Sequence, residues 1–305
     1  MTGFLALGVA GGFAALIAGV HATAAGVLLW PGLVLVVGLA AWLVQRLGDA
    51  PEDSIAALGA PLAFGAALLA LWEVLVVGLG VPMVLLPAPS AIAARMWLAA
   101  PMLWQDFGQT FLKAVLSGYL IGCGAGFALA LVTDRVPFLR RGLLPLGNLV
   151  ATLPMVGIAP IMVMWFGFDW PSKAAVVVAM TFFPMLVNTV AGLAAAGALE
   201  RDLMRSYAAS PGQTLWLLKL PAALPFIFTA LKVNAPLALI GAIVAEFFGS
   251  PTVGMGFRIT TEAARLALDM VWAEIVVAAV AGSAFYGLVA LAERAATFWH
   301  PSVRQ

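Results

Sequence analysis

Apolar residues fall into eight long runs, at about 3–20, 24–45, 60–80, 110–132, 144–167, 174–196, 227–248 and 271–292. Each is close to the ~20 apolar residues that cross a hydrocarbon core as a helix. A backbone in hydrocarbon must satisfy its own N–H and C=O groups, and a helix does so within one segment. The pattern therefore predicts an all-α integral membrane protein with about eight transmembrane helices. The first two runs are separated only by residues 21–25, which predicts a tight hairpin. Ala22-Thr23-Ala24-Ala25 behind the first run has the small residues of a leader cleavage site. No Lys or Arg precedes Arg46, however, so the run is read as a span.

The polar interruptions are as informative as the spans. Residues 200–221, E-R-D-L-M-R-S-Y-A-A-S-P-G-Q-T-L-W-L-L-K-L-P, read as two short helices around a fixed corner. Ser210 is placed to cap the second, Pro211 suits its first position, and Gln213 stands at the reciprocal position of a capping box. Leu203, Met204 and Tyr207 share a face of the first helix, with Arg201, Asp202 and Arg205 beside them. This is the form of a docking knob between two spans. Leu86-Pro87-Ala88-Pro89-Ser90 is expected to open another short helix, with Ser90 as its cap and Ile92, Met96 and Ala99 along the membrane surface. Residues 249–269 begin with the glycine-rich Gly-Ser-Pro-Thr-Val-Gly-Met-Gly-Phe and then turn amphipathic. This loop and the 200–221 island flank the same run, 227–248.

Composition agrees with a bilayer. Hydrophobic residues make up 64% of the chain and charged residues 10%, against roughly 25% in soluble domains. The 31 glycines suit helices that pack backbone to backbone. A net charge of +1 implies no nucleic-acid partner. Cys123 is the single cysteine and forms no internal disulfide. Eight crossings with both termini in the cytoplasm put Arg46, Arg135, Arg140, Arg141, Arg201, Arg205, Lys219, Arg294 and Arg304 inside, nine basic residues. The opposite loops carry four, Arg95, Lys173, Arg258 and Arg265. The excess favours this orientation and puts the 200–221 island in the cytoplasm. No phosphate-binding G-x-x-x-x-G-K-[ST], no G-x-S-x-G, no H-E-x-x-H and no paired Cys-x-x-Cys occurs. His21 and His300 lie near opposite ends of the chain without ligand partners, so neither a metal, a cofactor nor a catalytic residue is expected.

The island resembles the cytoplasmic loop of permease subunits of binding-protein-dependent ABC importers, E-A-A-x3-G-x9-I-x-L-P. Asp202-Leu203-Met204 stand for E-A-A, Ala208 for G, Leu218 for I, and Leu220-Pro221 match L-P. Leu86-Pro87-Ala88-Pro89-Ser90 is similar to the L-P-x-P-S of the nitrate, sulfonate and taurine branch. So are Pro154 to Gly167 to its P-x-x-A-x-x-P-L-x-x-x-W-F-G, Phe183 to Thr189 to its F-F-P-I-L-L-N-T, and Glu246-Phe247-Phe248-Gly249 with Gly254-Met255-Gly256 to its A-E-x-F-G…G-L-G. The resemblance spans about 60–298. It implies a six-helix type I ABC importer permease core with its coupling loop at 197–226, and leaves 1–50 as an extra N-terminal helical hairpin. The loop departs from the family at two places, Asp202 for the acid and Ala208 for the glycine. A left-handed Ala208 would cost about 1 kcal/mol relative to Gly; Ser210-Pro211-Gly212 is the alternative source of the corner. Residues 205–210, 228–232 and 240–246 look most like permeases for thiamine-precursor pyrimidines and riboflavin.

What the resemblance implies is a non-catalytic permease in the bacterial inner membrane. It forms a homodimer or pairs with a similar subunit, two ABC ATPase subunits dock on the cytoplasmic side, and a substrate-binding protein docks outside. Asp202, Leu203, Met204, Arg205, Tyr207, Ala208, Ser210, Pro211 and Gly212 are the expected ATPase-coupling residues. Asn148, Thr152, Met155, Thr181, Asn188 and Asn234 are polar or polarisable positions inside apolar runs and are read as lining a translocation path; interhelical hydrogen bonding is the competing account of each polar one. Pro154 and Pro160 predict a broken or kinked helix there. Glu73 and Glu246, carboxylates within apolar runs, are candidates for function; the competing account of Glu246 is an interfacial cap or a salt bridge with Arg258 or Lys173, and that of Glu73, next to Trp72, a protonated or paired carboxyl. A pyrimidine- or flavin-like solute is favoured over nitrate, taurine or aliphatic sulfonates. An integral membrane enzyme would need a nucleophile–base or metal constellation that is absent, and a secondary transporter would show inverted repeats.

Overall fold

The computed structural model describes Gly38, residues 59–136, Phe138, Leu139, Gly142 and residues 155–299. The expected hairpin at 1–50 thus lies outside the described residues, Gly38 apart. Among the described residues the helices with defined bounds are, in order, α1 (Gly59–Gly78), α2 (Pro89–Leu98), α3 (Ala100–Arg135), α4 (Met155–Phe166), α5 (Trp170–Ala194), α6 (Ala198–Ser206), α7 (Pro211–Glu246), α8 (Met255–Ala264) and α9 (Leu268–Ala296). Among the described residues there is no strand, and α1, α3, α5, α7 and α9 are long and apolar enough to cross a bilayer. α4 is a shorter apolar helix that continues through Pro160. The all-α membrane architecture expected from the hydropathy pattern is therefore present.

Two spans are longer than the apolar runs suggested. α3 and α7 each run for 36 residues, through a π-helical stretch at Gly108–Val115 and at Leu215–Lys219 respectively. The second short helix expected in the polar island is the start of α7 and not a separate element. Hydropathy placed that run at 227 because polar residues at 211–219 lower the average, while the backbone hydrogen bonding continues through them.

The chain divides into two compact units. The first comprises 1–99 and 262–273. In it, α2 begins beneath a buried carboxylate: Ser90 donates its N–H to Glu73 Oε2 at 2.9 Å and its hydroxyl to Oε1 at 2.7 Å. Ser90 is therefore not the N-cap, which is Ala88; it is the second helical residue and hands its donors to α1. This answers the question posed by Glu73, which serves as a remote cap for orphan N–H groups of α2. Ile92, expected on the membrane surface, is buried, while Arg95 reaches Asp269 at 2.8 Å.

The second unit comprises 100–261 and 274–305. Its centre is α5, packed between α3 and α7. Gly118, Gly122 and Gly126 recur every four residues on α3, forming one stripe against α5. A Cβ at Gly118 would lie 2.6 Å from Val177 Cβ, and one at Gly126 would lie 2.5 Å from the Phe182 carbonyl oxygen. Gly192 does the same between α5 and α7, against Ala223 and Phe226. Such contact replaces the hydrophobic drive that lipid cannot supply with close van der Waals packing. Tyr119 closes the core, donating to the Leu231 carbonyl at 3.0 Å with its ring edge-on to Phe285.

The start of α8 is held in the same unit by three side chains from two spans. Gly254 N–H donates to Asp106 Oδ1 at 2.7 Å, Met255 N–H to Thr110 Oγ1 at 2.8 Å, and Gly256 N–H to Glu246 Oε2 at 2.7 Å. Thr110 in turn donates to Glu246 Oε1, and Arg258 Nε to Asp106 Oδ2. Glu246 is thus a cap, and Arg258 pairs with Asp106. Gly254 has φ +136, and a Cβ at Gly256 would strike the Ile243 carbonyl. The Gly-Met-Gly sequence is what this close approach requires. Glu274 is fully buried against the Asp106 carboxylate.

Two outcomes are expected. Gly122→Val overpacks the α3–α5 contact and should cost about 1–3 kcal/mol, lowering the thermal midpoint of the detergent-purified protein. Gly124→Ala, where a Cβ meets nothing within 4 Å, should leave it unchanged. Glu274→Gln supplies an amide donor to the Asp106 carboxylate and should raise the midpoint; a fall would show that the second carboxyl is needed.

Candidate functional site

The segment from α6 to the first turn of α7 is built from local hydrogen bonds. α6 has no buried residue, so packing among the described residues leaves most of its apolar positions uncovered. Leu199, Leu203 and Tyr207 follow at four-residue spacing and are 84%, 56% and 79% exposed. They form a ridge open to a partner. Leu199 was missed in the sequence because it precedes the polar island, although its i−4 spacing from Leu203 is the signal. Met204 lies half-buried beside them. Arg205 pairs with Asp202 at 3.2 Å on the open surface, a contact worth little by itself.

The corner after α6 has both features that the sequence left as alternatives. Ala208 sits in the left-handed region at φ +53. Ala208 N–H donates to the Arg205 carbonyl at 2.9 Å, and Ala209 N–H to the Met204 carbonyl at 3.0 Å. Together these are the paired bonds of a Schellman termination, which normally uses glycine at the left-handed residue. Two residues later Ser210 caps α7. Its Oγ accepts from Gln213 N–H at 3.2 Å, and its own N–H donates to Gln213 Oε1 at 2.7 Å. Pro211 and Gly212 open the helix. The expected capping box is present, and the corner is fixed from both sides. Lys219, in the π-helical turn, binds both oxygens of Asp134 at 2.9 Å and ties α7 to the end of α3.

The residues read as lining a path separate into groups. Asn148 and Thr152 lie outside the described residues. Met155 is the first residue of α4. Thr181 and Asn234 are fully buried and come together with Cys123 at the junction of α3, α5 and α7. Asn234 donates to the Thr181 carbonyl at 2.9 Å and to Cys123 Sγ at 3.3 Å, while Thr181 Oγ1 donates to the Val177 carbonyl. This is the interhelical bonding that competes with the lining account. Asn188 is half-buried and donates to the Pro184 carbonyl at 2.8 Å, one turn back on the same helix. Lys232, on α7, forms an ion pair with Glu293 of α9 at 2.5 Å. Among the described residues no cluster of His, Cys, Asp and Glu is arranged to hold a metal.

Residues 118–304 match the family of binding-protein-dependent transport system inner membrane components. A riboflavin transport system permease protein of Chloroflexus aurantiacus is 30% identical over 81% of this chain and 91% of its own. A formylaminopyrimidine transport permease protein of Halalkalibacterium halodurans is 34% identical over 65% of this chain and 78% of its own. A taurine transport system permease protein of Escherichia coli is 30% identical over 76% of this chain and 86% of its own.

The left-handed Ala208 gives a direct test. Ala208→Gly relieves a strain of about 1 kcal/mol at this termination. Protease cleavage within 206–212 of the folded protein should slow accordingly; unchanged or faster cleavage would mean that the corner is not strained.

Proposed function

Since the chain belongs to the binding-protein-dependent transport system inner membrane components, and is thereby a multi-pass permease subunit of an ABC importer for a small solute, we propose that the solute is an uncharged, pyrimidine- or flavin-like heterocycle. The observation that carries this class is the ion pairing of Lys232, the basic residue best placed along 229–242, with Glu293. Lys219 is likewise paired with Asp134, while Lys113 and Lys173 are held by the Gln109 side chain and by the carbonyls of Phe168 and Asp169. An oxyanion crossing hydrocarbon needs an uncompensated cation or a dense set of donors. The riboflavin and formylaminopyrimidine permeases among the relatives support the same class. A taurine- or sulfonate-type solute is the second reading, favoured by the relatives named for taurine and aliphatic sulfonate transport.

The mechanism follows from the loop. ATPase subunits dock on the Leu199–Leu203–Tyr207 ridge and on Asp202, Arg205 and the Ser210–Gly212 corner, in the cytoplasm. A binding protein delivers solute on the other side. Two permease chains, identical or similar, share one pathway, and ATP-driven closure of the ATPases alternates its access. Asn148, Thr152, Met155 and Asn188 line that pathway, whereas Thr181 and Asn234 hold the helices that form it. The hairpin at 1–50 packs at the lipid-facing periphery and preserves orientation as a pair of spans.

Reconstitution with the partner ATPase and binding protein tests both levels. ATP-dependent uptake of a pyrimidine or flavin is expected, with no uptake of nitrate or alkanesulfonates. The reverse selectivity would overturn the solute class and leave the permease assignment intact. Tyr207→Ala with Arg205→Glu removes an aromatic anchor and reverses a charge, so ATPase stimulation by loaded binding protein should fall at least tenfold, as loss of about 1.4 kcal/mol or more at an interface anchor implies. Wild-type stimulation would refute the docking role.

A further inference from the structure

A cleft of about 860 Å³ opens behind α6, between the end of α3 and the first turns of α7. Its charged lining is Asp134, Arg135, Arg201, Asp202, Arg205 and Lys219, four basic residues against two acidic ones. Both acids are already engaged: Lys219 donates to the two oxygens of Asp134, and Arg205 to Asp202. The side chains of Arg135 and Arg201 have no ion pair or hydrogen bond among the described residues. Two guanidinium groups therefore face one cleft without a counter-charge from the described residues.

The depth of the cleft says what kind of anion it meets. Arg135 is the last residue of one span, and Pro211, Thr214, Leu215 and Lys219 belong to the beginning of another. The ends of spans lie where headgroups meet water. Trp216 and Leu217, on the turn beside the cleft, are 64% and 70% exposed. Tryptophan at the end of a span is placed for the interfacial belt, with its ring among the upper acyl carbons. Cationic donors beside an exposed apolar flank match a phosphodiester with acyl chains attached. A guanidinium suits phosphate because its N–H groups form a planar fork that fits two oxygens at once.

We propose that this cleft binds the phosphate of an anionic phospholipid, with Arg135 and Arg201 as its donors and Trp216 and Leu217 as the seat for its chains. The site shares Asp202, Arg205 and Pro211 with the proposed ATPase-docking loop but does not include the Leu199–Leu203–Tyr207 ridge, and it does not depend on which solute is carried. A lipid held there braces α6 against α3 and α7 by bridging Arg135 and Arg201, so the position of the loop becomes sensitive to the lipid composition of its leaflet.

The test needs neither transport nor ATP hydrolysis, so its failure and that of the permease reading are distinguishable. Native mass spectrometry of the purified full-length chain, and of the chain assembled with its ATPase, measures retained phosphatidylglycerol against phosphatidylcholine. The wild type should prefer phosphatidylglycerol by about tenfold, and Arg135→Gln with Arg201→Gln should reduce this to about twofold or less. Arg265→Gln, an exposed arginine outside the cleft, should keep the preference. No preference in the wild type would overturn the proposal without reference to any variant. So would an undiminished preference in the double variant. Displacement of the lipid by inorganic phosphate alone would assign the cleft to a soluble anion, and loss of the lipid on assembly would assign it to an acidic surface of the ATPase; either outcome overturns the lipid.

Discussion

The governing constraint is the backbone N–H group at the start of a helix that has no water to turn to. Each helix leaves its first N–H groups unbonded, and in a bilayer an unsatisfied donor costs several kcal/mol. Here the deficit is met by carboxylates from other helices. Glu73 serves α2, and Asp106 and Glu246, with Thr110 between them, serve α8. Glu73, Asp106 and Glu246 are therefore explained as fixed acceptors. Their position in the sequence marks where a helix break is packed inside protein, since a carboxylate at that depth would otherwise be expensive.

This constraint also separates what was legible in the sequence from what was not. The spans at 60–80, 174–196 and 271–292 were readable because hydropathy averages over many residues and tolerates small errors. The Ser210–Gln213 capping box was readable because all its atoms lie within four residues. The role of Ser90 was misread for the opposite reason. A serine after proline looks like a local cap, and only the approach of Glu73, 17 positions away, makes it a donor. The pairing of Arg258 with Asp106, over 152 residues, had no sequence signal. The glycine stripe at 118, 122 and 126 did have one, the four-residue repeat, but its partner helix was not identifiable. Thr181 and Asn234 were rightly singled out as unusual; which neighbour each faces was beyond pattern reading.

The loop shows how a substituted motif keeps its geometry. Ala208 occupies a left-handed position that favours glycine, yet the termination persists because its two hydrogen bonds and the capping box two residues on both require that backbone. The strain is local, and neighbouring bonds offset it. Loss of the family's glycine therefore reads as a lowered margin at this corner, while the direction in which α7 departs from it is retained.

α7 deserves a mechanical description as well as a chemical one. At 1.5 Å per residue its 36 residues reach about 54 Å, from the Ser210 cap to Glu246. One rod thus begins at the exposed corner and ends at the carboxylate that holds the Gly254–Gly256 turn. Its compliance is concentrated at the π-helical turn Leu215–Lys219 and at Pro225 and Pro236, where the regular bonding is interrupted. The Lys219–Asp134 pair, close to the first of these, acts as a fulcrum. A small displacement at the corner is then delivered to the far side of the membrane as leverage, with the arm lengths set by where lysine meets aspartate.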